Sequence, residues 1–354
     1  MEHLLGMTET RLVEWARARG AADGSARAFA RAMLARAAKR KAPTGGSASR
    51  ALLDAAAREF DERLPAAEPF DDPDGTVRFA IKLDDGALVE TVLIAQPEGG
   101  DGARKRERYT VCVSSQVGCA RGCVFCETGR LGFVRNLAAW EIVAQVAIAR
   151  EHLSRQRGDA ALAENVVYMG MGEPLDNLEE VLRSIAVLRE QGGFAVPERR
   201  ITVSTVGIVP RMDELYARTK ANLAVSLHAL EEKSRLALLP VARKFELATL
   251  RAAIARAPRT VLLQWTLIEG QNDSDAQAAR LAQFCEGLDA RVNLIPLNPG
   301  PLASQRAPTL ERCRAFQKTL ADRGVRALLR LPHGREVGGA CGQLAGAKRD
   351  ETAG

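Results

Sequence analysis

The apolar positions of this 354-residue chain change their rhythm twice. In the first part they recur at helical spacing. Leu4, Leu12, Trp15 and Ala16 form one stripe, with Thr8 placed to cap the helix that carries it. Residues 26–41 repeat the pattern with a strongly basic polar side, Thr44-Gly45-Gly46-Ser47 breaks it, and residues 48–64 predict a third helix. Residues 1–70 are therefore expected to form a small helical accessory domain. The Pro- and Asp-rich stretch 65–75 reads as a linker. Two alternating runs follow, 76–83 and 87–94, joined by Asp84-Asp85-Gly86. An Asp-Gly turn between alternating runs predicts a β-hairpin. With the polar, basic loop at 97–108 behind it, this hairpin forms an extension over residues 71–104.

From Tyr109 short β-rich runs alternate with helical stretches. The strands are expected at 110–114, 165–169, 200–204, 222–227, 260–267 and 291–295, and helices at 138–154, 178–191, 275–285 and 310–323. Strands that alternate with helices imply a parallel sheet. Six such units fall short of the eight of a closed barrel. The expected fold is α/β: an open, partial barrel of the (βα)6 type over residues 105–331, with a C-terminal segment, 332–354, that carries Cys341.

Composition narrows the class only a little. Hydrophobic residues make up 46% and charged residues 27%, which excludes a low-complexity chain. The formal charge of +6 is compatible with a nucleic-acid partner without demanding one. The N-terminus lacks the basic-then-apolar order of a signal peptide, and no apolar run reaches membrane-spanning length, so a cytoplasmic, non-membrane protein is expected. In a reducing compartment the seven cysteines read as metal ligands or reactive thiols rather than disulfides.

The decisive motif is Cys119-Ala-Arg-Gly-Cys123-Val-Phe-Cys126, a C-x3-C-x2-C spacing on a Gly-containing loop just after the first barrel strand. Three thiolates on one short loop can converge on a soft metal centre. A structural zinc site is the alternative, but it wants four ligands, usually as paired knuckles. Cys285 and Cys313 each stand alone within helical patterns and read as core thiols. Three cysteines on a four-iron cluster leave one iron open for the amino and carboxylate groups of S-adenosylmethionine. The motif, with Phe125 before its last cysteine, resembles the signature of the radical S-adenosylmethionine superfamily.

A narrower resemblance spans residues 90–346. TVCVSSQVGCARGCVFC, GFVRNL, VVYMGMGEPLDNL, ITVSTVGIVP, AVSLHAL, NLIPLNP and GGACGQLAG, in that order, resemble the RNA adenine methyltransferases of that superfamily. The resemblance implies a 4Fe-4S cluster on Cys119, Cys123 and Cys126 and two molecules of S-adenosylmethionine per turnover. It implies methylation of an electron-poor adenine carbon, carbon 2 ahead of carbon 8. Cys341 would accept a methyl group, Cys112 would resolve the protein–RNA adduct through a transient disulfide with Cys341, and Glu90 would accept a proton. It further implies contacts to S-adenosylmethionine from Gly172, Glu173, Ser204, Ser226, Leu227, His228 and Asn298, all at C-terminal strand ends, where α/β barrels hold ligands. An RNA substrate, 23S ribosomal RNA first and transfer RNA second, and an electron donor such as flavodoxin or ferredoxin follow from it.

Two regions depart from the family pattern. The N-terminal stretch lacks the usual helix rich in Phe, Gln, Trp and Tyr, and residues 331–339 lack the usual acidic run. Basic clusters at Arg36, Lys39, Arg40 and Lys41, and at Arg104, Lys105, Arg106 and Arg108, are open to two readings, a solvated face or phosphate contacts. Two other functions stay open: a radical enzyme of another reaction type, and a non-enzymatic RNA-binding module stabilised by a metal.

Overall fold

The computed structural model describes residues 1–40, 48–96, 107–158, 161–300 and 304–345. The N-terminal part is built from a short strand β1 (Glu2–His3) and helices α1 (Glu9–Arg17), α2 (Asp23–Ala37) and α3 (Arg50–Glu59), closed by β2 (Phe60–Asp61), which pairs parallel with β1. Thr8 caps α1 by accepting from the Arg11 amide at 3.4 Å. The third helix stops five residues short of its expected end because the chain turns extended at Phe60, which buries its ring in the small core formed by Leu4, Leu12, Phe29, Met33 and Leu34.

The basic residues at the end of α2 stay largely exposed but meet partners from distant segments. Arg36 pairs with Glu62 at 2.6 Å, Lys39 with Glu151 at 3.8 Å, and Arg40 donates to the Gly193 carbonyl at 2.8 Å. Lys41, Arg104, Lys105 and Arg106 lie outside the described residues.

The stretch 65–75, expected as a linker, holds a strand, β3 (Ala66–Asp71). Its Pro69 is tolerated because β3 is the outermost strand and needs no donor on its free side. β4 (Val77–Lys82) and β5 (Leu88–Ala95) form the expected hairpin, with Val77 opposite Leu93 and Lys82 opposite Leu88, and Gly86 supplies the positive φ of the turn. β6 (Glu107–Cys112) then pairs antiparallel with β5 on one side and parallel with β9 on the other.

Beyond β6 lies a two-stranded hairpin, β7 (Gln116–Gly118) and β8 (Phe133–Asn136), which encloses the cysteine loop and the short helix α4 (Glu127–Arg130). The βα alternation follows: α5 (Ala139–Arg157), β9 (Ala161–Tyr168), α6 (Leu178–Leu188), β10 (Ile201–Thr205), α7 (Val209–Arg218), β11 (Asn222–Ser226), α8 (Glu232–Leu238), α9 (Leu247–Ala255), β12 (Val261–Leu267), α10 (Asp275–Cys285), β13 (Ala290–Pro296), α11 (Leu310–Ala321) and β14 (Ala327–Leu329). Among the described residues ten strands form one sheet in the order β14-β13-β12-β11-β10-β9-β6-β5-β4-β3, and β6 to β14 run parallel. The six expected strands are present, and β14 adds a seventh that its three residues and flanking arginines hid. The sheet stays open, with β3 and β14 at its ends. Cys285 and Cys313 are buried on α10 and α11, as core thiols.

The two cores touch but remain distinct. Leu5 enters the main core, His3 stacks on Trp140 with centroids 4.2 Å apart, and the Glu9 amide donates to Glu190 at 3.1 Å. Replacing Phe29, fully buried in the small core, by Ala should cost about 3–5 kcal/mol. Hydrogen exchange should show the loss in α1 and α2, with β9 to β13 unchanged; equal acceleration in both would mean that the two cores unfold as one.

Candidate active site

Parallel strands deliver their C-terminal ends to one side of a sheet, and here those ends and the cysteine loop enclose one cleft. Its empty space, open mouth and adjoining solvent included, is about 970 Å³. Cys119, Cys123 and Cys126 line one wall; Gly172, Glu173, Ser204, Ser226 and His228 line the strand-end wall; Asn298 and Cys341 close the rim.

The thiol loop is pinned by a close backbone approach. Gly118 has φ +71°, and a Cβ there would stand 1.9 Å from the Gly132 carbonyl oxygen, which accepts from the Cys119 amide at 2.8 Å. Only glycine fits. Within the loop the Cys126 amide donates to the Cys123 carbonyl at 3.1 Å, and the Arg121 amide reaches the Cys119 sulfur at 3.5 Å. Burial pushes the Cys119 thiol up to about 11, and it raises Cys123 and Cys126 as well; Cys126 adds to the rise at Cys119, and both add to the rise at Cys123. Such a crowd of thiols is stabilised as thiolates by a bound cation. Three thiols on one loop suit an iron–sulfur cluster, which takes cysteine thiolates, and fall short of the four ligands that structural zinc takes.

The strand-end wall sets a few polar groups among apolar ones. Gly172, at φ +97°, lies so close to the loop after β6 that a Cβ would meet Gln116 at 2.6 Å. Gln116 holds this turn by accepting from the Glu173 amide at 2.9 Å. Burial pushes the Glu173 carboxyl up to about 7, against amides of Val206 and Leu175 that donate to it at 2.9 and 3.0 Å. An ammonium group placed beside it would restore its charge. Ser204 donates to the Tyr168 carbonyl at 3.0 Å, and Ser226 contacts Gln264 at 3.4 Å. His228 is buried at φ +57°; its Nδ1 accepts from the Thr266 amide at 2.9 Å. Burial, helped by Arg235, pushes its pKa down to about 3. The ring is therefore neutral, with its proton on Nε2 as the remaining donor.

Leu227 does not share this placement. Ser226 and His228 line the cleft, while the Leu227 side chain is fully buried in the hydrophobic core. Glu90 also stands off the cleft wall. It is buried on β5, ion-paired to Arg78, and its Oε2 accepts from the Ala345 amide at 2.7 Å.

Cys341 is exposed along its open side yet crowded by protein elsewhere, and burial raises its thiol, with Cys126 close enough to add to the effect. Cys112 is buried at the end of β6; burial pushes its thiol strongly up, and Cys341 is near enough to push it further. Asn298 donates to the Cys341 carbonyl at 3.1 Å. Sequence reasoning missed Arg121 and Gln264 in the cleft, and Gln116 and Arg235 behind it; the buried Arg235 guanidinium donates to the Val206 and Phe245 carbonyls at 3.0 and 3.2 Å. A lone arginine in the otherwise helical KSRLALL stretch was the only signal for it.

Known proteins agree with this geometry. The radical SAM superfamily model matches residues 113–282. A Sorangium cellulosum protein named "Probable RNA methyltransferase" is 48% identical over 302 residues, 84% of this chain and 72% of its own. The dual-specificity RNA methyltransferase RlmN of Desulfotalea psychrophila is 43% identical over 80% of this chain and 79% of its own. This chain belongs to the radical SAM RNA methyltransferase family. A crystal structure of a radical SAM methyltransferase from Sphaerobacter thermophilus superposes with a TM-score of 0.84 at 38% identity, covering 97% of this chain and 99% of that one. In this radical SAM methyltransferase, as in its expected fold, the partial barrel carries the cluster loop at the strand ends. Among the described residues no helix is long and apolar enough to cross a membrane.

The buried neutral imidazole has a consequence for stability. With a folded pKa of about 3, below the ordinary histidine value near 6.5, protonation favours the unfolded chain. Stability from this group is complete above about pH 6.5 and is lost as pH falls toward 3. Between pH 7 and 5 the wild type should lose about 2 kcal/mol that a His228→Asn variant does not. Urea unfolding at both pH values checks this; equal losses would show that His228 is not held neutral.

Proposed function

We propose that the enzyme methylates carbon 2 of an adenine, with carbon 8 as the second candidate, in 23S ribosomal RNA and in transfer RNA, by way of an S-methylcysteine at Cys341. The observation that carries this reading is the station of Cys341, an open-sided thiol on the cleft rim, near enough to Cys126 for that thiol to raise it and near enough to Cys112 to raise that thiol in turn. The relatives named dual-specificity RNA methyltransferases support an enzyme that serves more than one RNA. Carbons 2 and 8 are not nucleophilic, so a direct attack of the base on a sulfonium methyl is excluded, and a thiol that carries the methyl group answers that need.

Cys119, Cys123 and Cys126 would hold the 4Fe-4S cluster, and Glu173, Ser204, Ser226, His228 and Asn298, with the Gly172 backbone, would hold S-adenosylmethionine. When bound, these groups supply methyl groups, an electron and a 5′-deoxyadenosyl radical, two S-adenosylmethionine molecules per turnover. Cys341 accepts one methyl group at sulfur and loses its thiol proton. The S-methyl group gives a hydrogen atom to the 5′-deoxyadenosyl radical, which leaves as 5′-deoxyadenosine, and the resulting S-methylene radical adds to the adenine carbon and joins protein to RNA. Glu90 takes the proton of that carbon, and the electron that the adduct gives up would return to the iron–sulfur cluster. Cys112, deprotonated, attacks the Cys341 sulfur; the S–S bond forms, the S–C bond breaks, and the released carbon gains a solvent proton to become methyl. The Cys112–Cys341 disulfide is then reduced by cytoplasmic thiols, and a flavodoxin- or ferredoxin-type protein supplies the electron for the next cycle.

Anaerobically reconstituted enzyme, incubated with reductant, S-adenosylmethionine and either RNA, should yield methyladenosine by mass spectrometry of the digest. Cys341→Ala should abolish it and still form 5′-deoxyadenosine. Cys112→Ala should leave the protein covalently attached to RNA. Turnover by Cys341→Ala at wild-type rate would remove the methyl-carrier role.

A further inference from the structure

The residues around the C-terminal segment show how a thiol on a glycine-rich chain is given a fixed address. The β3–β4 turn meets residues 333–337 with two carboxylates. Asp74 Oδ2 accepts from the Gly334 amide at 2.9 Å and contacts His333 Nδ1 at 3.2 Å; Asp72 Oδ2 accepts from the Glu336 amide at 3.0 Å and the Val337 amide at 3.4 Å. Next to them Arg78, on β4 and mostly buried, donates through Nε to the Val337 carbonyl at 2.6 Å and through Nη1 to Glu90. Its guanidinium carbon stands 4.2 Å from the ring centre of Phe70 on β3.

On the far side of Cys341 the anchors belong to the cluster loop. The Glu127 amide donates to the Gly342 carbonyl at 2.8 Å and Thr128 to the Leu344 carbonyl at 2.7 Å. Cys341 therefore hangs between two supports, the strand extension and the loop of the metal-ligating cysteines. Between Val337 and Cys341 lie only Gly338, Gly339 and Ala340, a stretch with little stiffness of its own.

We propose that Arg78, with Asp72 and Asp74, is a positioning residue of the methylation reaction: the strand extension is a clamp that fixes the segment 333–337 and so keeps the Cys341 thiol within reach of both the cluster side of the cleft and Cys112. A single planar guanidinium makes both contacts, to Glu90 and to the Cys341 segment. It thereby sets the base and the methyl carrier relative to one another, which a lysine ammonium does less well. This inference rests on the methyl-carrier role of Cys341, but the position of the thiol can be read without turnover.

The test is cysteine labelling and hydrogen exchange on the reconstituted enzyme, with Arg78→Met, Arg78→Lys and, independently, Asp72→Ala. In Arg78→Met, iodoacetamide should label Cys341 at least fivefold faster, and amides 338–345 should exchange faster. Cys285 and Cys313 should stay as slow as in wild type, and the amount of methyladenosine formed per 5′-deoxyadenosine should fall at least fivefold. Arg78→Lys should recover part of each effect, and Asp72→Ala should reproduce the labelling change. A purely structural role would instead expose Cys285 and Cys313 together with Cys341, and would overturn the assignment. Wild-type labelling and exchange at Cys341 in both Arg78→Met and Asp72→Ala would also overturn it. RNA methylation by Cys341→Ala would remove the role in coupling while leaving the labelling result to stand by itself, so the two failures are distinguishable.

Discussion

The parallel sheet does not close, and most of what is distinctive here follows from that. An open barrel leaves backbone donors and acceptors along its first strand, and an unpaired edge invites association with another chain. β5 covers that edge by pairing antiparallel with β6, and β4 and β3 carry the sheet outward to an edge that tolerates Pro69. The strands that cap the sheet also bring Glu90 and Arg78 beside Cys112, since Val92 of β5 lies opposite Cys112 of β6. A solution to the edge problem thus places chemistry-bearing side chains next to the cleft.

Electrostatics inside the site separates two kinds of thiol. Cys119, Cys123 and Cys126 share one loop, where burial raises all three and Cys126 and Cys119 raise Cys123 further, an arrangement that a bound metal relieves. Cys112 and Cys341 come from distant parts of the chain, and Cys341 lies close enough to raise the buried Cys112 further. Both are raised by burial, so thiolate at either position needs a base or a developing disulfide in place of ambient pH. Against these, His228 is held neutral and Glu173 is poised near neutrality, so the strand-end wall can answer a zwitterionic ligand with one donor and one acceptor.

The sequence made the periodic elements and the short-range motifs readable. The Asp-Gly hairpin, α10 and the C-x3-C-x2-C loop announce themselves because period, turn chemistry and spacing are local. β3 was hidden by the same Pro and Asp residues that suit an edge strand and its turn, and β14 by its three-residue length. The Leu227 side chain packs into the core although Ser226 and His228 on either side of it line the cleft, which strand-end position alone does not tell. The arginine partner of Glu90 is twelve positions away along the chain and adjacent only once the hairpin folds. Arg36 and Lys39 stay more than half exposed, and Glu62, Glu151 and Gly193, which the basic end of α2 meets, come from distant segments.

The central claim is that the methyl group passes through Cys341 and loses a hydrogen atom on the way. The most direct measurement is the isotopic composition of the product formed from S-adenosylmethionine with a fully deuterated methyl group, in ordinary water. Passage through an S-methylene radical on Cys341 predicts a methyl group on adenine that keeps two deuterium atoms and gains one hydrogen from solvent. A product that keeps all three deuterium atoms would mean direct transfer of an intact methyl group and would contradict the account.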